Sequence, residues 1–178
     1  MHSDIKEIMF SEKQLSDITD RIAEQINRDY GSSDIIAAVV LKGSLIFTAD
    51  LIRRLNMCVR LDFIQASSYG AGTQSSGVIR IKKDLENDIA GKHVLIIEDI
   101  VDSGRTLALL KKNLKDRGAA SVRIAALLSK PSRRVADVEV EYIGEEIPDE
   151  FVVGYGLDLA ERYRNLPYIG ILKPEVYL

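Results

Sequence analysis

Cysteine is almost missing from this 178-residue chain: Cys58 stands alone. A single thiol excludes an intrachain disulfide framework and fits a reducing compartment. Histidine is nearly as scarce, and neither His2 nor His93 has a ligand partner at metal-binding spacing, so neither is assigned a metal or catalytic role. No apolar run approaches the roughly 18 residues that a membrane span needs. There is no excess of positive charge either. Lys and Arg number 24 against 27 Asp and Glu, a net charge of -3, which removes the electrostatic reason to expect a nucleic-acid partner. Internal repeats and low-complexity segments are absent, and Met1-His2-Ser3-Asp4 begins polar and acidic, unlike a signal peptide. The expectation is a soluble, cytoplasmic protein of one domain, long enough to bury a sizeable core.

What the chain does have is concentrated in residues 94 to 107. Val94 to Ile97 form an uninterrupted apolar run, the pattern of a strand buried on both faces in a parallel sheet. Glu98, Asp99 and Asp102 then put three carboxylates within five residues. Ser103, Gly104, Arg105 and Thr106 follow, and Leu107, Leu110 and Leu114 take up helical spacing. In open parallel sheets, ligands sit beyond the carboxyl ends of the strands. Backbone N–H groups around Ser103, Gly104 and Thr106, at a helix start, have no intrahelical acceptor and suit a phosphate. The carboxylates suit instead sugar hydroxyls or a hard cation such as Mg²⁺.

A second strand-loop-helix unit precedes it. Ser11 and Gln14 form a capping box that opens a helix with Leu15, Ile18, Ile22 and Ile26 on one face, ending near Gly31. Ile35 to Leu41 reads as a buried strand that passes through Lys42-Gly43-Ser44 into a helix from Leu45 to about Leu55. Lys42 and Gly43 are either a solvated cation and a permissive turn, or a loop that brings backbone groups close to a ligand. Ile5 to Phe10, Val59 to Gln65, Val78 to Lys82, Val122 to Leu128, Val138 to Ile143 and Tyr168 to Leu172 read as further strands, with Gly144 to Glu150 as an acidic turn. Residues 66 to 77 lack apolar periodicity and read as a loop, either a hairpin tip or a lid that excludes water.

Ile97 to Thr106 resembles the phosphoribosyl-pyrophosphate signature of the type I phosphoribosyltransferases. Leu41-Lys42-Gly43-Ser44, Ser67-Ser68-Tyr69-Gly70, Lys130 and Phe151-Val152-Val153-Gly154-Tyr155-Gly156-Leu157-Asp158 narrow the resemblance to the bacterial hypoxanthine (hypoxanthine-guanine) branch. The resemblance implies an α/β fold, a central twisted, mainly parallel sheet flanked by helices, with a small hood from roughly 1–10 and 145–178 and a lid at 66–77. It implies a 6-oxopurine base and 5-phosphoribosyl 1-pyrophosphate as substrates, Mg²⁺ as cofactor, and a homo-oligomer, dimer or tetramer.

Roles follow from the same resemblance. Glu98 and Asp99 would hold the ribose hydroxyls and, directly or through waters, a magnesium ion, and Asp158 would be a magnesium ligand on the pyrophosphate side, through water. Ser103, Gly104, Arg105 and Thr106 would bind the phosphoribosyl group. Lys42, Gly43 and Arg164 would bind pyrophosphate, with the peptide before Lys42 often cis. Lys130, Phe151 and Val152 would bind the purine, Ser68 and Tyr69 would fold over the site, and Asp102 would exchange the proton of purine nitrogen 7. From the residues alone, Phe151 reads more readily as core, either Arg162 or Arg164 reads equally as a surface residue, and Asp102 is also a candidate helix cap. A nucleotide-sensing regulator on the same fold, a phosphate-accepting receiver domain and a xanthine-preferring enzyme are the rival readings.

Overall fold

The computed structural model describes residues 1–68 and 79–177. Strand β1 (Ile5–Phe10) leads into helix α1 (Glu12–Tyr30), and the capping box is formed: the Ser11 side chain accepts from Gln14 N, while the Gln14 side chain accepts from Ser11 N at 2.9 Å. Then come β2 (Ile35–Val40), α2 (Leu45–Ile52), β3 (Val59–Ser68), β4 (Ile79–Lys83), β5 (His93–Val101), α3 (Arg105–Asp116) and β6 (Ser121–Ser129). The chain closes with β7 (Tyr142–Glu146), β8 (Val152–Val153) and β9 (Ile169–Leu172).

Six strands form the main sheet in the order β4-β3-β2-β5-β6-β7, parallel throughout except at the β3–β4 edge. Alternation decides which face each residue meets. Ala37, Leu95, Ile97, Ala125 and Leu127 bury against α1 and α2, whereas Ala38, Val94, Ile96, Ile124 and Ala126 bury against Leu107, Leu110 and Leu114 of α3. The central strands are apolar on both faces because helices cover both, as a sheet of this kind requires. A second sheet of three antiparallel strands, β1-β9-β8, joins the two ends of the chain. Among the described residues, no helix is long and apolar enough to cross a membrane.

Two boundaries differ from the sequence reading. The alternation of Val138, Val140 and Tyr142 reads as one strand, but pairing with β6 starts only at Ala125↔Tyr142. Just before that point the Glu141 carboxylate accepts from Ile124 N at 2.8 Å, and Val138 and Val140 pack on the α3 side while Tyr142 buries on the other. A side chain thus takes the amide that a longer strand would use, and residues 144 to 146 are strand rather than turn. In consequence Glu145 and Glu146 belong to the six-stranded sheet, so a hood that begins at residue 145 would start inside the main sheet.

Candidate active site

Glu98 and Asp99 are part of a strand, not of the loop after it. The apolar run ends at Ile97, but β5 continues through both acids to Val101, with Glu98 opposite Ala126 and Val101 opposite Ser129. Ladder bonds to the neighbouring strand therefore hold the carboxylates at the carboxyl end of the sheet. Glu98 Oε2 is enclosed and has no hydrogen-bond partner among the described residues. Asp99 Oδ1 accepts from Ile100 N at 2.7 Å. Burial, and then the charge of Asp99 beside it, pushes the Glu98 carboxyl well above the usual carboxylate range. Asp99 is also raised, by burial, against the pull of the Ile100 amide. Two half-buried carboxyl groups thus stand side by side on the cleft wall, where a hard cation or a pair of sugar hydroxyls would find acceptors.

The Lys42-Gly43 loop meets these acids from β2. A Cβ built on Gly43 would lie 1.6 Å from Asp99 Oδ2, so only glycine lets this backbone pass over the carboxylate. The Leu41–Lys42 peptide is cis.

Beyond Val101 the chain turns through Asp102 and Ser103 to Gly104, which precedes α3 in the left-handed conformation, φ +78°. A side chain there would strike Arg134 Cδ at 2.8 Å. The cap residue is Gly104, which has no side chain to offer, and the only side chain among the described residues that accepts from the first turn of α3 is Ser103, from Arg105 N at 3.4 Å, so Asp102 does not act as the helix cap. Its Oδ1 instead accepts from Arg133 Nε at 2.7 Å. The loop is backed by Val135 N and Ala136 N, which both donate to Ser103 O at 3.0 Å.

The remaining candidates approach from the other side. Arg164 donates to Gly156 O at 2.7 Å and pairs with Asp158 at 2.9 Å. Arg162 turns away, its guanidinium over the Tyr163 ring, so Arg164 is the arginine of the cleft. Lys130 Nζ donates to Glu150 O at 2.8 Å. Phe151 stacks on Tyr177 with ring centroids 4.8 Å apart, and Val152 is buried opposite Ile171.

These groups enclose two adjoining spaces. A cleft of about 400 Å³ is lined by Lys42, Gly43, Glu98, Asp99, Asp102, Ser103, Gly104, Thr106, Asp158 and Arg164. A smaller one of about 260 Å³ is lined by Lys130, Phe151, Val152 and Leu157 and shares Asp99, Ile100, Asp102 and Asp158 with the first. The shared acids form the wall between a largely charged space and one that adds Lys130 and the apolar Phe151, Val152 and Leu157.

The other expected site residues are placed as follows. Arg105 is exposed and lines neither space, because the first turn of α3 directs it outward. Asp158 lines both spaces with Asp99, and its carboxylate pairs with Arg164 at 2.9 Å and accepts from Glu161 N at 2.8 Å. Of the lid pair, the backbone of Ser68 ends β3 opposite Ile79, and Tyr69 lies outside the described residues. Sequence reasoning missed Arg133, Glu161 and Tyr177. Only Arg133 left a signal, as a second cation close to Lys130.

Residues 9–160 match the model of the phosphoribosyl transferase domain. A hypoxanthine-guanine phosphoribosyltransferase of Staphylococcus aureus is 49% identical over 177 residues, covering 99% of each chain. The corresponding protein of Streptococcus pneumoniae is 48% identical over 99% of this chain and 98% of its own. A crystal structure of a hypoxanthine phosphoribosyltransferase from Staphylococcus aureus superposes with a TM-score of 0.95 at 48% identity, covering 100% of this chain and 97% of that one. With that coverage at both ends, the chain belongs to the phosphoribosyltransferase family, in its hypoxanthine-guanine branch.

Proposed function

We propose that this chain serves purine salvage by transferring 5-phosphoribose from 5-phosphoribosyl 1-pyrophosphate to nitrogen 9 of hypoxanthine or guanine, with release of pyrophosphate. The observation that carries the reading is the half-buried Glu98–Asp99 pair set between the uncapped start of α3 and the Lys42-Gly43 loop. A phosphate at one end, a diol in the middle and a pyrophosphate at the other would meet, in turn, helix amides, carboxylates and cations.

In this reading the 5-phosphate sits at Ser103, Gly104 and Thr106, where the helix start offers free N–H groups and a positive dipole. Glu98 and Asp99 accept from the ribose hydroxyls. The same two carboxylates, with Asp158 on the pyrophosphate side, fit Mg²⁺, which takes one or two carboxylates plus waters and substrate oxygens. When bound, the ion supplies charge neutralisation for the departing pyrophosphate. Lys42 and Arg164 hold that group at the mouth of the cleft, so that fixed positive charge stands where negative charge develops as the C1–O bond breaks.

In the smaller space Phe151 provides a face for the purine and Lys130 a donor for its 6-oxygen, with the Val152 backbone at its edge. Asp102, on the wall between the spaces, accepts the proton from purine nitrogen 7 and returns it in the reverse direction. One of its oxygens is engaged by Arg133, which leaves the other for the base.

The test is a spectrophotometric assay of the purified chain with phosphoribosyl pyrophosphate, Mg²⁺ and each base separately. Nucleotide formation from hypoxanthine and from guanine is expected. Binding of nucleotide without turnover of any 6-oxopurine would instead identify a regulatory protein on this fold.

A further inference from the structure

The two cations at the mouth of the larger cleft are not waiting bare. Lys42 Nζ lies 3.0 Å from one oxygen of Glu161, and the other oxygen lies 3.3 Å from Arg164 Nη2 and 3.4 Å from its Nε. One carboxylate bridges both. Glu161 is itself outside the cleft lining, with its side chain 63% exposed. The backbone that presents it is costly: Glu161 has φ +66°, Ala160 before it +49° and Tyr163 after it +76°, all in the region that non-glycine side chains avoid. The turn is fastened by Glu161 N donating to Asp158 and by Arg162 N donating to Leu159 O at 3.0 Å. The bonds to Lys42 and then to Arg164 hold the Glu161 carboxyl below its usual range.

We propose that Glu161 is an exchangeable counter-ion for the pyrophosphate subsite. In the free protein its carboxylate keeps Lys42 and Arg164 together across the mouth, and a pyrophosphate, arriving with the substrate or leaving as product, takes its place. The proposal rests on the reading of Lys42 and Arg164 as the pyrophosphate-holding pair. The geometry suits an exchange. Arg164 keeps its bonds to Gly156 O and Asp158 when Glu161 leaves, so the guanidinium stays aimed. Lys42 has no other ion-pair partner among the described residues, and its ammonium is free to follow the incoming anion. Exposed pairs of this kind are weak, so a more highly charged anion displaces the carboxylate readily. Its presence still subtracts from pyrophosphate affinity, which speeds release of the product.

The sign of one measurement decides. In Glu161→Gln, magnesium pyrophosphate binding by titration calorimetry should tighten by about 3- to 10-fold, the range set by one or two exposed ion pairs. Inhibition of the forward reaction by added pyrophosphate should strengthen in step. Glu161→Ala should move both in the same direction, and thermal melting checks that each variant is folded. Unchanged affinity would mean that the carboxylate does not compete, and weaker affinity that Glu161 braces the two cations; either overturns the proposal. Lys42→Gln separates this from the underlying reading. If that variant binds pyrophosphate as tightly as the parent, the subsite itself is misplaced. If it binds more weakly while Glu161→Gln gains nothing, only the counter-ion role falls.

Discussion

Two sets of charges face each other across the cleft, and they are held in opposite ways. On the floor, Glu98 and Asp99 sit within the ladder of a parallel sheet, with carboxyl groups raised by burial. At the mouth, Lys42, Asp158 and Arg164, with Glu161 just outside the lining, lie on loops, partly or largely in solvent, and each has an ionic partner. The floor is fixed by ladder bonds, and its Glu98 Oε2 has no hydrogen-bond partner among the described residues. The other side is satisfied and has to exchange partners. A ligand therefore relieves the floor on arrival, whereas at the mouth it replaces bonds of about the same kind. Substrate orientation belongs to the floor, and entry and exit of the anion belong to the mouth.

The sharpest way to break this division is at Asp102, which ends the floor. Asp102→Asn removes the proton acceptor but leaves the shape of both spaces. Turnover should fall by roughly 10² to 10⁴, the usual range for a general acid or base, while the KM for phosphoribosyl pyrophosphate stays nearly constant. Steady-state kinetics in both directions check it. Near-normal turnover would take Asp102 out of the chemistry and return it to its ion pair with Arg133.

Phe151 tests the opposite side. It belongs to the small-sheet cluster with Val153 and Leu172, and its ring has Tyr177 on one face. Phe151→Ala should raise the KM for the purine by about 10-fold, in line with 1–3 kcal/mol for base–aromatic stacking, and change turnover much less. Tyr177→Ala should act in the same direction but more weakly, about 3-fold, because an aromatic pair contributes on the order of 0.5–1.5 kcal/mol beyond its buried area; Tyr177→Phe should restore the parent value. A fall in melting temperature with no change in purine KM would make both residues core.

Most of the floor was legible in the chain itself. A run of β-branched residues, three acids and a glycine before a helix is a local pattern, and a parallel strand dictates which end a ligand meets. Even so, the length of β5 was misjudged. Ladder bonds to β6 carry Glu98 to Val101 onward in strand geometry, and apolar content alone does not report such bonds. The other side was legible as motif only. That Gly43 is fixed by the Asp99 carboxylate, that Asp102 pairs with Arg133, and that Tyr177 reaches back to Phe151 are contacts between residues 26 to 56 positions apart. No periodicity encodes them. Glu161 is hidden for a further reason: its position depends on left-handed backbone at non-glycine residues, which nothing in Leu159-Ala160-Glu161-Arg162 announces.

The smallest effect bears on whether the floor is strained without its ligand. A carboxyl whose pKa is raised in the folded state destabilises that state once ionised: its stability is fully present below the unfolded-state pKa and is lost as pH rises through the folded-state value. Glu98 is such a group, raised by burial and by Asp99. Glu98→Gln supplies a neutral side chain in the shape of the protonated acid, with an amide that can donate to Asp99. At neutral pH the ligand-free variant should therefore be more stable than the parent, by roughly 1 kcal/mol on the scale for an unsatisfied buried polar group. The gap should close as pH falls below the ordinary carboxylate range, where the parent carries the proton itself. Denaturant melts at several pH values check the sign. A parent more stable than Glu98→Gln at neutral pH would mean that the protein already neutralises this carboxylate, and the contrast between floor and mouth would fail at its strongest point.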